Sequence, residues 1–481
     1  MADVKSDAGT ASGLAASGPA ASGSRLLRAG VVAFAAVIVS WLVFLLVNGA
    51  LDEVDLTVYR DGGLIVRQVR PYYAPGAWAP LYDWGGYSSL ALKFTYTPFA
   101  AITFAVASFL PWAVMVVSSV VGNMAALVAA LWFTFGGLGY RDRRVRLGAT
   151  LLAAAATFWL QPVIRTIYLG QVNLVLMAMI IGDLCQPSLR ADGRPRWWKG
   201  ALTGVAAGVK LVPLVFVPYL LVTRRFREAL ATLAGFVVTV AVGFAVLPHD
   251  SSQWWLHGMF LADGNRTGFM GWAGNQSLRA IITRFAGSVA AGQDPWIVAA
   301  VIAFALGLAA TTLLDRAGYP LPALLATALT GLLVSPVSWD HHWVWVAPAV
   351  AVTGHYALAA WRRGARRTAC WLFGLVALLI LPFAAWPDAI WESARNLGNL
   401  SLGLLWAQPN TNPVLFATRG DQPSYVEYHW HGFQLLWGNA YILTGVALLV
   451  IALVTGLRLR SAGPADAAEP AEPVTAAVPA S

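Results

Sequence analysis

Apolar positions in this chain fall in long unbroken runs, not in the three-to-four spacing of a surface helix or the alternation of a half-buried strand. A helix needs about 20 apolar residues to cross ~30 Å of hydrocarbon. On that basis the runs predict ten full spans, roughly at 29–49, 112–136, 147–163, 173–186, 229–247, 296–314, 323–339, 343–360, 368–387 and 437–457. Two further apolar stretches resist that reading. Residues 98–110 are too short and predict a re-entrant or interfacial helix. Residues 200–222 carry basic residues at both ends and Lys210-Leu211-Val212-Pro213 in the middle. A straight span there would strand Lys210 near mid-bilayer, at about 3 kcal/mol or more. A hairpin of two short helices avoids this, with Pro213 starting the returning limb.

Charge fixes the orientation. Arg25 and Arg28, Arg141 to Arg144, Arg190 to Lys199, Arg224 to Arg227, Arg362 to Arg367, and Arg458 and Arg460 all fall outside the spans. One topology puts every one of these runs on the cytoplasmic side, as the positive-inside rule requires. It leaves three long outer segments, about 51–97, 248–295 and 388–436, rich in Trp, Tyr, Gly and Pro. The ends, 1–24 and 461–481, are too poor in large apolar side chains to fold and predict disordered cytoplasmic tails around one integral domain over 25–460.

Composition narrows the class. With 58% hydrophobic and 11% charged residues, and a mean hydropathy of +0.63, the chain is not a soluble enzyme. The net charge of +9 follows from the basic loops and does not point to nucleic acid. Two cysteines, Cys185 and Cys370, imply no disulfide framework. The expected class is an all-α polytopic membrane protein.

Candidate chemistry collects on the predicted outer side. Asp52, Glu53 and Asp55 stand just beyond the first span, where a carboxylate reads either as a solvated loop charge or as a general base for transfer of a sugar onto a hydroxyl. Lys93 and Tyr96 precede the short helix and suit either an interfacial anchor or a lipid phosphate. Gln171 and Asn173 lie where one span hands over to the next, and Lys210 tops the hairpin. Asn275 sits in the polar Asn275-Gln276-Ser277 cluster, and Asp340, His341 and His342 sit in the polar break Ser335 to Trp343. Adjacent histidines do not share a helix face, whereas zinc pairs prefer i, i+4 spacing, so these read as phosphate or sugar contacts without a metal or other cofactor. The chain lacks a nucleotide-binding fingerprint, so an outer-face sugar donor would have to be lipid-linked.

At these residues the sequence resembles a known family: the actinobacterial polyprenyl-phosphate-mannose-dependent α-1,2-mannosyltransferases, glycosyltransferase family 87 of the GT-C superfamily. The resemblance runs over about 29–457 and rests on Asp55 to Tyr59, Phe94 to Pro98, Gly170 to Asn173, Lys210 to Pro213, Asn275 to Ser277 and Ser335 to His342. It implies a GT-C-like membrane fold and a polyprenyl-phosphate-mannose donor. It also implies a phosphatidylinositol mannoside or lipomannan acceptor, inverting transfer, and Asp55 as the catalytic aspartate. A histidine near the reaction centre, His341 or His342, is implied as well. Asp340 introduces a second acid beside them. Two alternatives stay open: a polyprenyl-phosphate-arabinose-dependent arabinofuranosyltransferase, and a transporter or flippase of an envelope lipid.

Overall fold

The computed structural model describes residues 19–48, 51, 53–68, 80–82, 92–188, 192–194, 196–262, 270–384, 417–419, 422–424 and 426–461. In chain order the helices are α1 (Pro19–Asn48), α2 (Val54–Val66), α3 (Pro98–Ala107), α4 (Trp112–Gly137), α5 (Arg143–Phe158), α6 (Gln161–Tyr168) and α7 (Asn173–Leu184). Then come α8 (Ala201–Val209), α9 (Phe216–Val222), α10 (Phe226–Val246), α11 (Pro248–Ser251), α12 (Met259–Ala262), α13 (Leu278–Ala286) and α14 (Val289–Arg316). The last are α15 (Pro320–Val334), α16 (Val346–Arg362), α17 (Arg366–Ile380), α18 (Phe433–Trp437) and α19 (Ala440–Ser461). A 3₁₀ turn at Asp340–Trp345 leads into α16. The strands described are one antiparallel pair, β1 (Ala417–Arg419) and β2 (Gln422–Ser424).

Among the described residues, seven helical segments are long and apolar enough to cross a membrane: Gly23–Leu46, α4, α10, α14, Asp340–Arg362, Arg366–Phe383 and α19. The α6–α7 pair, bent by 118°, makes an eighth if counted as one broken span. The sequence predicts ten. The shortfall lies in the runs at 147–163, 173–186 and 323–339, which fold as α5, α7 and α15 with 16, 12 and 15 residues. Most of α7 and α15 is buried by neighbouring helices, so neither has to match the hydrocarbon thickness residue by residue. At the other end of the scale, α1 begins at Pro19, inside the stretch expected as a tail, and Gly23 packs on Val145.

Small residues set the helix contacts, as expected where lipid removes the hydrophobic drive for helices to associate. On α1, Gly30 meets Gly148 of α5, and a Cβ there would overlap the Gly148 carbonyl. Gly200, Gly204 and Gly208 recur every four residues and so line one face of α8. They pack in that order on Glu228, Thr232 and Thr239 of α10, so α8 and α10 run parallel. The chain between them must rise to Lys210 and return through α9. That is the hairpin expected from the basic ends.

Ion pairs bring two of the basic runs together at one end of the bundle. Arg225, between α9 and α10, pairs with Asp315 of α14 at 2.7 Å, and Lys199 pairs with Glu228 at 3.2 Å. Arg146 donates to the Trp132 carbonyl at the nearby end of α4. At the opposite end, α2 and α3 lie across the hairpin apex. They share a second apolar core with Leu56, Tyr59, Phe94, Phe104 and Trp254, while the main core runs through the bundle.

Candidate active site

Three breaks in helices build the site. The first is Leu169 to Val172, between α6 and α7. Gly170 adopts φ +69° there, and a side chain would overlap Leu56 of α2. Only glycine allows both the left-handed turn and this approach. Leu56 N–H then donates to the Leu169 carbonyl at 3.2 Å, which pins the first turn of α2, and Asp55 with it, onto the break. Asp55 is half-buried. Asp52 lies outside the described residues.

From α2, Tyr59 reaches Gln171 at the same break. Its hydroxyl donates to Gln171 Oε1 at 2.6 Å and lies 2.7 Å from the Tyr96 hydroxyl. Tyr96 also approaches Gln171 Oε1, at 3.2 Å. Burial above all, then Tyr96 and the charge of Asp55, push the Tyr59 phenol well above its usual range. It therefore stays a neutral donor, one that couples α2 to the bundle.

The second break is the hairpin apex. Lys210 leaves α8 in extended backbone, and its ammonium donates to Asn173 Oδ1 at 3.0 Å and to His342 Nε2 at 2.8 Å. An ammonium has no lone pair, so Nε2 of His342 must accept. The same ammonium stands 5.6 Å from the centre of the Tyr96 ring. Thr97, the N-cap of α3, donates to the Gly208 carbonyl and locks α3 to the apex.

The third break is Ser335 to Trp339, ahead of the Asp340–Trp345 turn. Asn275 holds it from outside: its amide donates to the Met270 carbonyl and its oxygen accepts from Ser338 N–H, both at 3.0 Å. Asp340 is 2% exposed and enclosed. It accepts from Gln161 Nε2, from the His341 N–H at 2.8 Å and at His341 Nδ1 at 3.1 Å, and lies 3.6 Å from Arg165 Nε. Tyr441 donates to Gln161 Oε1, which ties α19 into the same network. The His341 carbonyl accepts from both Thr166 and Asn173, at 3.0 Å each.

Below Lys210, Asn173, Ser338 and His342 opens a cleft. Its walls are apolar: Leu176, Met177, Ile180, Val215, Phe216 and Leu332 are among them. One cation and three hydrogen-bonding side chains therefore cap a cleft lined by hydrocarbon side chains, the polarity of a phosphate carried on an apolar tail.

The structure thus gathers Tyr96, Gln171, Asn173, Lys210 and His342, with Asp55 on the helix that Tyr59 docks against them. His341 stands behind His342, with ring centroids 4.8 Å apart. Two sequence candidates stay apart. Lys93 is exposed and makes no hydrogen bond or ion pair among the described residues, and Asn275 spends its side chain on backbone groups. Asp340, read from the sequence as a second acid, is held inside the protein by its partners. Among the described residues no three His, Cys, Asp or Glu side chains converge as a metal site. The sequence reasoning missed Tyr59, Gln161, Arg165 and Thr166. Its available signal was Gln161-Pro162 with Arg165 four residues after Gln161, a helix start carrying two polar groups on one face.

The chain is also similar to known proteins. Residues 94–336 match the model of glycosyltransferase family 87. A polyprenol-phosphate-mannose-dependent alpha-(1-2)-phosphatidylinositol mannoside mannosyltransferase of Mycobacterium tuberculosis is 33% identical over 346 residues, 68% of this chain and 75% of that protein. The protein of the same description from Mycolicibacterium smegmatis is 32% identical, over 73% of this chain and 80% of its own length. A polyprenol-phosphate-mannose-dependent alpha-(1-2)-phosphatidylinositol pentamannoside mannosyltransferase of Mycolicibacterium smegmatis is 34% identical, over 73% and 81%. No solved structure matches the chain. With just over half of its residues inside the family model and relatives above 30% identical across more than two thirds of it, the chain belongs to glycosyltransferase family 87.

Proposed function

We propose that this membrane glycosyltransferase moves mannose from polyprenyl-phosphate-mannose to a hydroxyl of a phosphatidylinositol mannoside or lipomannan acceptor, with inversion, on the outer face of the plasma membrane. The observation that carries the reading is the Lys210 ammonium, held by Asn173 and His342 at the mouth of an apolar cleft. The names of the relatives favour mannose over arabinofuranose as the sugar, and membership in a glycosyltransferase family weighs against a transporter. The outer-face assignment follows from the basic ends: if they face the cytoplasm, the apex and its cleft open outward. Counted with α5, α6–α7 and α15, the chain then crosses the membrane ten times, in a GT-C-like arrangement.

In the mechanism, the acceptor oxygen attacks the anomeric carbon as the bond from that carbon to the phosphate oxygen breaks. Lys210 and its partners take up the charge that grows on the departing polyprenyl phosphate. Asp55 removes the acceptor proton, which leaves a neutral glycosidic link. Because phosphate is already a competent leaving group, the remaining demand is position: α2 must hold the acceptor over the apex.

The test is transfer itself. Purified protein incubated with polyprenyl-phosphate-mannose and a phosphatidylinositol mannoside should lengthen the acceptor by one mannose. Asp55→Asn keeps the size of the side chain but removes the basic lone pair, and should lower turnover about 10²–10⁴-fold while donor binding persists. Near wild-type turnover in Asp55→Asn would refute the base assignment. Activity with an arabinofuranosyl donor alone would refute the sugar.

A further inference from the structure

A second cationic feature lies on α2, away from the Tyr59 face. Arg60 and Arg67 are seven residues apart and so share one side of the helix, two turns from each other. The Arg60 guanidinium lies 5.6 Å from the ring of Trp112, and that of Arg67 lies 3.6 Å from Phe109. Both rings belong to the turn where α3 ends and the candidate span α4 begins. That turn carries an uncovered apolar flank: Val106 is 72% and Phe109 70% exposed, and Val114 and Val117 continue it down α4. A cation resting on an aromatic ring where an exposed apolar flank begins is placed at headgroup depth.

Neither arginine makes an ion pair among the described residues. Arg67 donates one nitrogen to Ser108, at 2.8 Å to its carbonyl and 3.2 Å to its hydroxyl, and keeps the rest of its fork. Arg60 Nε is buried with no hydrogen-bond partner among the described residues. A buried unpaired donor is unfavourable, and the ligand that relieves it here must be an acceptor that reaches the bilayer surface. Guanidinium forks match phosphate oxygens in charge and in geometry.

We propose that Arg60 and Arg67 form a subsite for the phosphodiester of the acceptor lipid, which anchors its headgroup while the glycan reaches Asp55. The inference rests on the proposed transfer to a phosphatidylinositol-based acceptor. At 1.5 Å per helical residue, Asp55 lies about 7.5 Å along α2 from Arg60 and about 18 Å from Arg67. The subsite therefore acts as a ruler along the helix that carries the base. An acceptor whose sugars span that gap is presented correctly, and a mannoside without phosphate loses the anchor.

The experiment compares two acceptors, a phosphatidylinositol mannoside and an alkyl α-mannoside without phosphate, on wild-type protein, Arg60→Gln and Arg60→Lys. Arg60 is the cleaner position, because Arg67 also caps α3 through Ser108. Arg60→Gln should lower the ratio of kcat/KM values, phosphodiester acceptor over phosphate-free acceptor, at least tenfold. Arg60→Lys should restore part of it. An equal loss with both acceptors means a structural role and overturns the proposal, as does an unchanged ratio. Native mass spectrometry of bound phosphatidylinositol mannoside gives a readout independent of turnover. If wild-type protein retains that lipid and Arg60→Gln releases it while no transfer occurs with either acceptor, the function falls and the subsite stands. If unmannosylated phosphatidylinositol displaces the mannoside with equal strength, the arginines hold bulk phospholipid and the acceptor assignment falls.

Discussion

Replacing Lys210 with methionine tests the donor end of the site most directly. The ammonium donates to Asn173 Oδ1 and to His342 Nε2, and it brings to the cleft the positive charge that a donor phosphate would meet. A hydrogen bond to a charged group contributes about 1.5–3 kcal/mol, which at about 1.4 kcal/mol per tenfold is a factor of roughly 10 to 150. Charge grows on the phosphate as the sugar departs, so the loss should be larger in the transition state, about 10²–10³ in kcat/KM. Methionine keeps an apolar stem of similar length but leaves Asn173 Oδ1 and His342 Nε2 without this donor, so some stability should go as well, about 1–3 kcal/mol per orphaned atom. Lys210→Gln returns one donor and should regain stability before activity. The assay is initial-rate transfer from labelled polyprenyl-phosphate-mannose at varied donor, alongside a thermal melt in detergent. A folded Lys210→Met protein with kcat/KM within threefold of wild type would remove the phosphate role from Lys210, and with it the reading of the cleft.

Three further outcomes follow from the same geometry. Gly204→Val would place a Cβ 2.0 Å from the Thr232 carbonyl and prise α8 from α10, so it should destabilise by about 1–3 kcal/mol or more, whereas Gly122→Ala, with nothing within 4 Å, should melt like wild type. Tyr59→Phe removes the 2.6 Å bond to Gln171 and should cost about 1 kcal/mol, read as a roughly fivefold drop in kcat/KM with the donor KM little changed. Burial raises the Glu427 carboxyl above its usual range despite the nearby Arg284, itself pushed down to about 9 by burial. A group raised in the folded state contributes stability at low pH that is lost as pH climbs through its folded value, so the melting temperature should fall from pH 5 to pH 8 more steeply in wild type than in Glu427→Gln. Equal slopes for the two proteins would refute that assignment.

Hydropathy and charge carried a large part of this structure in the sequence. The run at 112–136 is α4, Trp112–Gly137, and the run at 229–247 falls within or beside α10, Phe226–Val246. The hairpin was legible because basic residues at both ends of 200–222 cannot be reconciled with a straight crossing. The meeting of Lys210 with Asn173 and His342 was legible only as a shared membrane side, since the sequence places residues at a depth but not at a distance. What it hid was α6. Hydropathy took Gln161 into the end of a span and left Arg165 just beyond it, yet all of α6 is buried and bends sharply against α7. Their partner is Asp340, nearly two hundred residues on, and no local pattern announces a pairing of that separation. Asn275 misled for the converse reason. A polar residue in an outer loop looks available until its amide is found closing the backbone of two other segments.

The two candidate carboxylates divide by what surrounds them. A general base needs an open lone pair that faces the acceptor, and Asp340 offers none: an amide, a guanidinium, an imidazole and a backbone N–H converge on it. Its charge instead fixes the turn from which His342 reaches Lys210. Asp55 stands in the first turn of α2, half-buried, on an element that meets the donor end through Leu56 on Leu169 and through Tyr59 on Gln171 and Tyr96. The proposed base and the proposed phosphate cation therefore sit on separate pieces of structure. The distance between them is set by how α2 seats on Gly170 and Gln171, not by either residue's own environment. Under the proposed function, this arrangement lets the apex hold the lipid donor independently while α2 aligns the acceptor. At that seat the hydrogen bond of Tyr59 to Gln171 is buried and the one to Tyr96 partly so. Burial there shields the seat from water, and a hydrogen bond kept dry holds its geometry more tightly than one exposed at the surface.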